Sequence, residues 1–188
     1  MEGLMTATIK ESEDAPASYP GISYAGFSTE ATAIGPGLIW ERIEHYTRWR
    51  FSARSVVWIV EGCGEWAPPL APATVTATEV WENDAWAAFT PTPGPLGGYR
   101  FDGHGPYRIT ANVGGGTVPA AVQEAFQRLA EYFADARESA STRGTAGVVK
   151  ADVTIGQLSE MTTRSPAWVA KAMELSGAGD LLRPYRRT

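Results

Sequence analysis

The stretch "VPAAVQEAFQRLAEYFADARES" (118–139) limits the fold more than any other part of the chain. Val118, Val122, Phe126, Leu129, Phe133 and Ala136 recur at helical spacing and form one continuous apolar face, which Ala125 and Tyr132 widen. Pro119 suits the first helical turn, where its missing N–H has no partner to lose. About 22 residues of helix reach about 33 Å. A stripe this wide has to be covered along most of its length. A second helix is predicted over 37–50 in "GLIWERIEHYTRWRF". There Ile39, Ile43, Tyr46 and Arg50 share one stripe, flanked by Leu38 and Trp49, and "FSARS" ends it.

Between the two helices lies a block of strands, 55–113. "SVVWIVEG" (55–62) is apolar and β-branched, as a buried strand should be. "PPLAP" (68–72) is a linker. "TVTATEVW" (74–81) and "AWAAFT" (85–90) flank "END", a hairpin turn signal. "GYRF" (98–101) and "YRITANV" (107–113) flank "DGHGP", which reads as another turn. In the last strand Tyr107, Ile109, Ala111 and Val113 alternate with Arg108, Thr110 and Asn112, so one face is buried and the other wet. The fold class expected is α+β, a small helical body with an antiparallel β-hairpin block.

Both ends read as extended arms. Pro16, Pro20, Gly21, Gly26, Gly35 and Pro36 interrupt any long element in residues 1–35, and Tyr19, Ile22, Tyr24 and Phe27 are free to lie on a neighbouring surface. After the long helix, "STRGTAG" (141–147) breaks the chain, and "VVKADVTIGQL" is a strand or an extended segment. Ser165 as N-cap and Pro166 at the first position open a short helix over 165–175, with Trp168, Ala172 and Leu175 on one face and Gly177 as its stop. The division expected is an N-terminal arm (1–35), a body (36–146) and a C-terminal arm (147–188).

Signatures of chemistry are sparse. His45 stands beside Glu44 in a helix, and His104 stands in a turn; neither has metal-ligand spacing with Cys63. A single cysteine allows no internal disulfide. "GGG" (114–116) follows a strand and precedes a helix but lacks the Lys-Ser/Thr of a phosphate loop, so it reads as a joint. No serine shows a nucleophile-elbow pattern. No enzyme, cofactor or metal is expected. The apolar run "VVWIV" is too short to cross a bilayer, and no membrane partner is expected. Trp58, Trp66, Trp81 and Trp86 cluster in the strand block and read as core; exposed, they would stack on sugar rings.

Charge is unevenly spread. The chain carries a formal charge of -5, too acidic for a body that binds nucleic acid directly. Residues 1–30 net -4 and residues 161–188 net +3, which suggests contact surfaces of opposite sign. The basic end, "GAGDLLRPYRRT", interleaves Arg183, Arg186 and Arg187 with Pro184 and Tyr185, behind Leu181 and Leu182.

Three stretches in order resemble the head–tail connector (adaptor) family of long-tailed DNA phages and gene transfer agents. "IWERIEHYTRWRF" resembles that family's "YT" helix. "YRITANVGGGTVPAAVQEAFQRLAEYFADARES" resembles its last strand, Gly-containing loop, "VP" and long helix. "SGAGDLLRPYRR" resembles its closing Leu-Leu-x-Pro-Tyr-Arg peptide. The match covers residues 39–187 but departs in two places. "YTRW" stands where "YTGR" is usual, and the Gly/Pro-broken residues 1–35 replace a Leu/Ala-rich first helix.

The resemblance implies a structural virion protein with no cofactor, located at the head–tail interface and made in the host cytoplasm. It implies a homo-oligomeric ring of about twelve copies, between the portal protein and a downstream tail or stopper protein. The two helices, through Ile39, Ile43, Tyr46, Val122, Phe126, Leu129 and Phe133, pack together and against neighbours in the ring. Leu181, Leu182, Arg183, Pro184, Tyr185, Arg186 and Arg187 dock on the portal. DNA passes without sequence-specific binding through a channel kept non-adhesive by the acidic charge. The alternative is a Trp-rich carbohydrate- or receptor-binding virion module.

Overall fold

The structure is a computed structural model that describes residues 6–95, 97–139, 145–154, 159–164 and 167–187. The fold is α+β. The chain divides into two compact units, each assembled from separated segments: residues 1–20, 48–117 and 187–188 form one, and residues 21–47 and 118–186 form the other.

The first, the β unit, holds eight strands among the described residues: β1 (Ala7–Glu13), β2 (Arg54–Glu61), β3 (Gly64–Trp66), β4 (Ala73–Glu82), β5 (Ala85–Ala88), β6 (Thr92–Pro93), β7 (Tyr99–Phe101) and β8 (Tyr107–Val113). Five of them make an antiparallel sheet of order β1-β2-β8-β4-β5, and three make a small sheet of order β3-β7-β6. The alternation expected in β8 is present, with Tyr107, Ile109, Ala111 and Val113 buried. On its neighbour β2, Val56, Trp58 and Val60 point the same way. Trp66, Leu70 and Phe101 close this core. The β4–β5 hairpin turns at Asn83 and Asp84, both at positive φ (50° and 59°), the geometry a tight two-residue hairpin needs.

Two expectations fail here. The N-terminal arm is in part a strand, because β1 pairs antiparallel with β2. Its side chains are almost all polar and exposed, so no hydrophobic period marks it. Its anchoring is polar instead. The Trp58 indole N–H donates to Glu11 at 2.9 Å, and the Trp66 indole N–H donates to Thr8 at 2.9 Å. Glu13 takes the Arg50 guanidinium on both oxygens, with Nη2 to Oε2 at 2.7 Å, and accepts from Arg54 at 3.1 Å. Secondly, β7 and β8 are not a hairpin. The "DGHGP" segment folds onto the Tyr107 side chain, with the Gly103 N–H donating to Tyr107 Oη at 3.0 Å, and β7 joins the small sheet.

The second, helical unit holds α1 (Thr29–Thr32), α2 (Pro36–Thr47), α3 (Ala120–Ser139), the hairpin β9 (Val148–Thr154) and β10 (Ser159–Arg164), α4 (Ala172–Leu175) and α5 (Ala178–Leu182), with a 3-10 turn over Arg183–Tyr185. The apolar face of α3 is buried at Val122, Ala125, Phe126, Leu129 and Ala130. The α2 residues Ile39, Trp40 and Ile43 are equally buried, and Trp40 packs on Phe126 with ring centroids 5.3 Å apart. Phe27, placed by sequence in a free arm, lies 6.4 Å from the Phe126 ring. Ser28 caps α1 and gives both its N–H and its hydroxyl to Glu131 of α3, each at 2.7 Å. The segment 21–35 is therefore bound into its own unit.

The helix expected over 37–50 stops at Thr47, because Arg48 adopts φ 55°, and Trp49 and Arg50 pair with the Ala71 segment of the β unit. The helix expected over 165–175 is regular only from Ala172 to Leu175; its proposed cap, Ser165–Pro166, lies outside the described residues. The "GGG" joint reads as expected. Gly114 sits at φ 83°, where an added Cβ would come within 2.2 Å of the Ser52 carbonyl oxygen, so this loop serves backbone packing.

Candidate docking surface

The C-terminal stretch singled out by charge and pattern is a folded element in this structure. After α4 the chain turns at Gly177, and α5 packs on α3. Gly179 lies close under Tyr46 of α2, where a Cβ would stand 3.2 Å from the Tyr46 hydroxyl. The Arg186 guanidinium lies over the Tyr46 ring, 5.3 Å from its centroid. Cation–ring contact of this kind holds the side chain without hiding its charge.

The seven tail residues therefore split. Leu182 is fully buried within the helical unit and is a core residue, which corrects its expected role as a portal anchor. Its burial beside Ala178 is what fixes α5. Leu181 and Tyr185 are half-buried. Arg183, Pro184 and Arg186 are exposed. Arg183 and Asp180 stand 3.5 Å apart with both side chains 80% exposed, a pair that water screens heavily. Arg187 belongs to the β unit, where its guanidinium donates to the carbonyls of Pro68 at 3.2 Å and Leu70 at 3.4 Å.

Of the residues expected to pack against ring neighbours, Ile39, Ile43, Val122, Phe126, Leu129 and Phe133 all lie inside the helical unit and offer no surface to another copy. The reason is the width of the α3 stripe, which α1, α2 and α5 between them cover. Arg42 lies over the Phe133 ring at 4.7 Å and shields its edge. Tyr46 differs from the other six: it is half-buried and forms the wall of a cavity of about 590 Å³.

That cavity is bounded by Tyr46, Lys171, Met173, Glu174, Asp180 and Arg186. Charges of both signs line it. Val169 and Leu175, exposed by 43% and 45%, lie on the same α4 segment. Tyr132 of α3 ties that segment down, its hydroxyl donating to the Trp168 carbonyl at 3.0 Å. Burial pushes the Tyr132 phenol above its ordinary pKa, so it remains a donor. The sequence pointed to the tail but not to Lys171, Met173 and Glu174. Their shared helical turn was the available signal.

No family model, curated protein or solved structure matches the chain. Among the described residues no group of three His, Cys, Asp or Glu side chains is placed to hold a metal ion, and no helix is long and apolar enough to cross a membrane. His45 and His104 are both exposed, in different units, and Cys63 is half-buried.

Proposed function

We propose that the chain is a structural head–tail adaptor of a virion. About twelve copies form a closed ring that joins the portal protein to the next tail or stopper protein and leaves a passage for DNA. The observation that carries this reading is the meeting of the helical parts of the three motif stretches in one compact unit. Tyr46 comes from the "YT" helix, Phe126 and Leu129 from the long helix, and Leu182 and Arg186 from the closing peptide, and all belong to the helical unit. The docking element is then a shaped surface and not a loose peptide. Leu182 fastens it from within, while Arg183, Pro184 and Arg186 face outward.

A preformed surface loses less entropy on binding than a disordered tail. Arg and Tyr anchors commonly dominate such interfaces, and a ring presents many weak sites at once, which adds avidity. The net charge of -5 per chain suits a wall along which DNA moves without adhering. No catalysis is required of any residue.

The test is co-sedimentation of the purified chain with the portal protein of the same particle. Wild type co-sediments, and an Arg183→Glu, Arg186→Glu double variant does not while its helical circular dichroism is unchanged. Co-sedimentation of the double variant at the wild-type level would overturn the proposal, and so would failure of the wild type.

A further inference from the structure

The β unit contains a second cavity, of about 470 Å³, that the adaptor reading does not use. This size falls within the roughly 300–1,000 Å³ of small-molecule clefts. The floor is Tyr107, which is buried and stacked on Phe101 at 4.3 Å. One wall is Trp81, whose side chain is 40% exposed although it is one of the largest apolar groups in the chain. It is held in place by edge-to-face packing on Trp86, at 5.2 Å, which in turn carries the Arg108 guanidinium at 4.6 Å. Around the rim stand Glu82, Arg100, Asp102 and His104.

The rim is held by the backbone. The segment 102–106 is pinned at three points: Gly103 N–H to Tyr107 Oη at 3.0 Å, Gly62 N–H to the His104 carbonyl at 2.9 Å, and Trp81 N–H to the Pro106 carbonyl at 3.0 Å. Gly105, at φ 79°, lies so close over the Tyr107 ring that an added Cβ would stand 2.8 Å from it. The backbone of the loop is thus fixed beside Trp81 before any ligand arrives.

The chemistry of the rim narrows the ligand. Glu82 and Asp102 oppose an anion. Arg100, 3.6 Å from Asp102, opposes a cation. Charges of both signs at one rim favour an uncharged molecule with one flat apolar face and several hydroxyls that both donate and accept. Carboxylates accept from hydroxyls and the guanidinium donates to them, and charge-assisted bonds of this kind are the stronger ones. An indole face at the wall suits the C–H face of a pyranose ring.

We infer that this cleft is a binding site for a neutral pyranose sugar, stacked on Trp81 and hydrogen-bonded by Glu82, Arg100, Asp102 and His104. The site stands independently of the adaptor proposal. The portal test uses Arg183 and Arg186, which are not part of this cleft, so either proposal can fail without the other.

The experiment is a two-dimensional NMR titration of the full chain. The probes are methyl glycosides of glucose, galactose, mannose and N-acetylglucosamine, and their linear trisaccharides; choline chloride and inorganic phosphate serve as charged controls. At least one sugar shifts the Trp81 indole N–H and the Gly103 and His104 amides. Trp81→Ala and Asp102→Asn each weaken that binding about tenfold or more, judged on the remaining amides with the rest of the spectrum unchanged. Tighter binding of a trisaccharide than of its monosaccharide identifies a polysaccharide chain as the source, and equal binding identifies a free sugar. The inference is overturned if no sugar shifts these signals, if binding survives Trp81→Ala, or if choline or phosphate binds in place of sugar.

Discussion

In the β unit the core is made of large rings. Trp58 and Trp66 lie 5.6 Å apart, and Phe101 stacks on Tyr107. In the helical unit the buried rings, among them Trp40, Phe126 and Phe133, sit among aliphatic and alanine side chains on helices. The difference extends to how each unit holds its outlying segment. The β unit holds β1 by a backbone ladder and by polar contacts, above all the half-buried Glu13 carboxylate between Arg50 and Arg54. The helical unit holds α5 by burying Leu182. An element fastened by charge pairs leaves little hydrophobic trace in the sequence, whereas one fastened by a leucine leaves a trace that invites the wrong partner.

The largest effect expected is on the helical core. Phe126→Ala removes a ring that touches both Trp40 and Phe27 and should cost about 3–5 kcal/mol. If the two cores are separate, native-state hydrogen exchange accelerates in α2 and α3 and stays slow in β8. Equal acceleration in β8 would break the distinction between the units.

A somewhat smaller loss is expected in the β unit. The Arg50 and Arg54 side chains are only 5% and 8% exposed, and removing a partner of buried charges costs roughly 3 kcal/mol or more. Glu13→Ala should therefore lower the denaturation midpoint and release β1, exposing residues 7–13 to proteolysis. Slow proteolysis in that variant would mean that the ladder alone holds the strand.

The smallest effect is on pH response. Hydrogen bonding to Arg108 holds the Glu79 carboxyl below the ordinary carboxylate pKa. A group with a lowered folded pKa contributes stability above its unfolded pKa and loses it as pH falls through the folded value. The Arg108 Nε–H resonance should hold steady down to the ordinary carboxylate range and move only below it. In Glu79→Gln the movement disappears. A wild-type transition at neutral pH would contradict the pairing.

What was readable from the sequence follows from the same contrast. The long helix was legible because Val122, Phe126, Leu129 and Phe133 keep one period, and its observed span differs by two residues at the start. The alternation in β8 and the turn at Asn83–Asp84 were legible for equally local reasons. The pairing of β1 was not, since Lys10, Glu11 and Glu13 resemble a solvated end until Trp58, Arg50 and Arg54 are placed beside them. The separation of β7 from β8 depends on Tyr107 filling the space under its own loop, which no turn signal encodes. For the docking surface, the basic peptide was legible but its division was not. That Leu182 faces inward while Arg183 and Arg186 face outward is decided by the helical turn of α5 against α3.

The most direct measurement is photocross-linking from the tail in assembled particles, with Tyr185→p-benzoylphenylalanine as the reactive position. The adaptor proposal expects the cross-link to run to the portal protein. Cross-links confined to the chain that carries the label would contradict it.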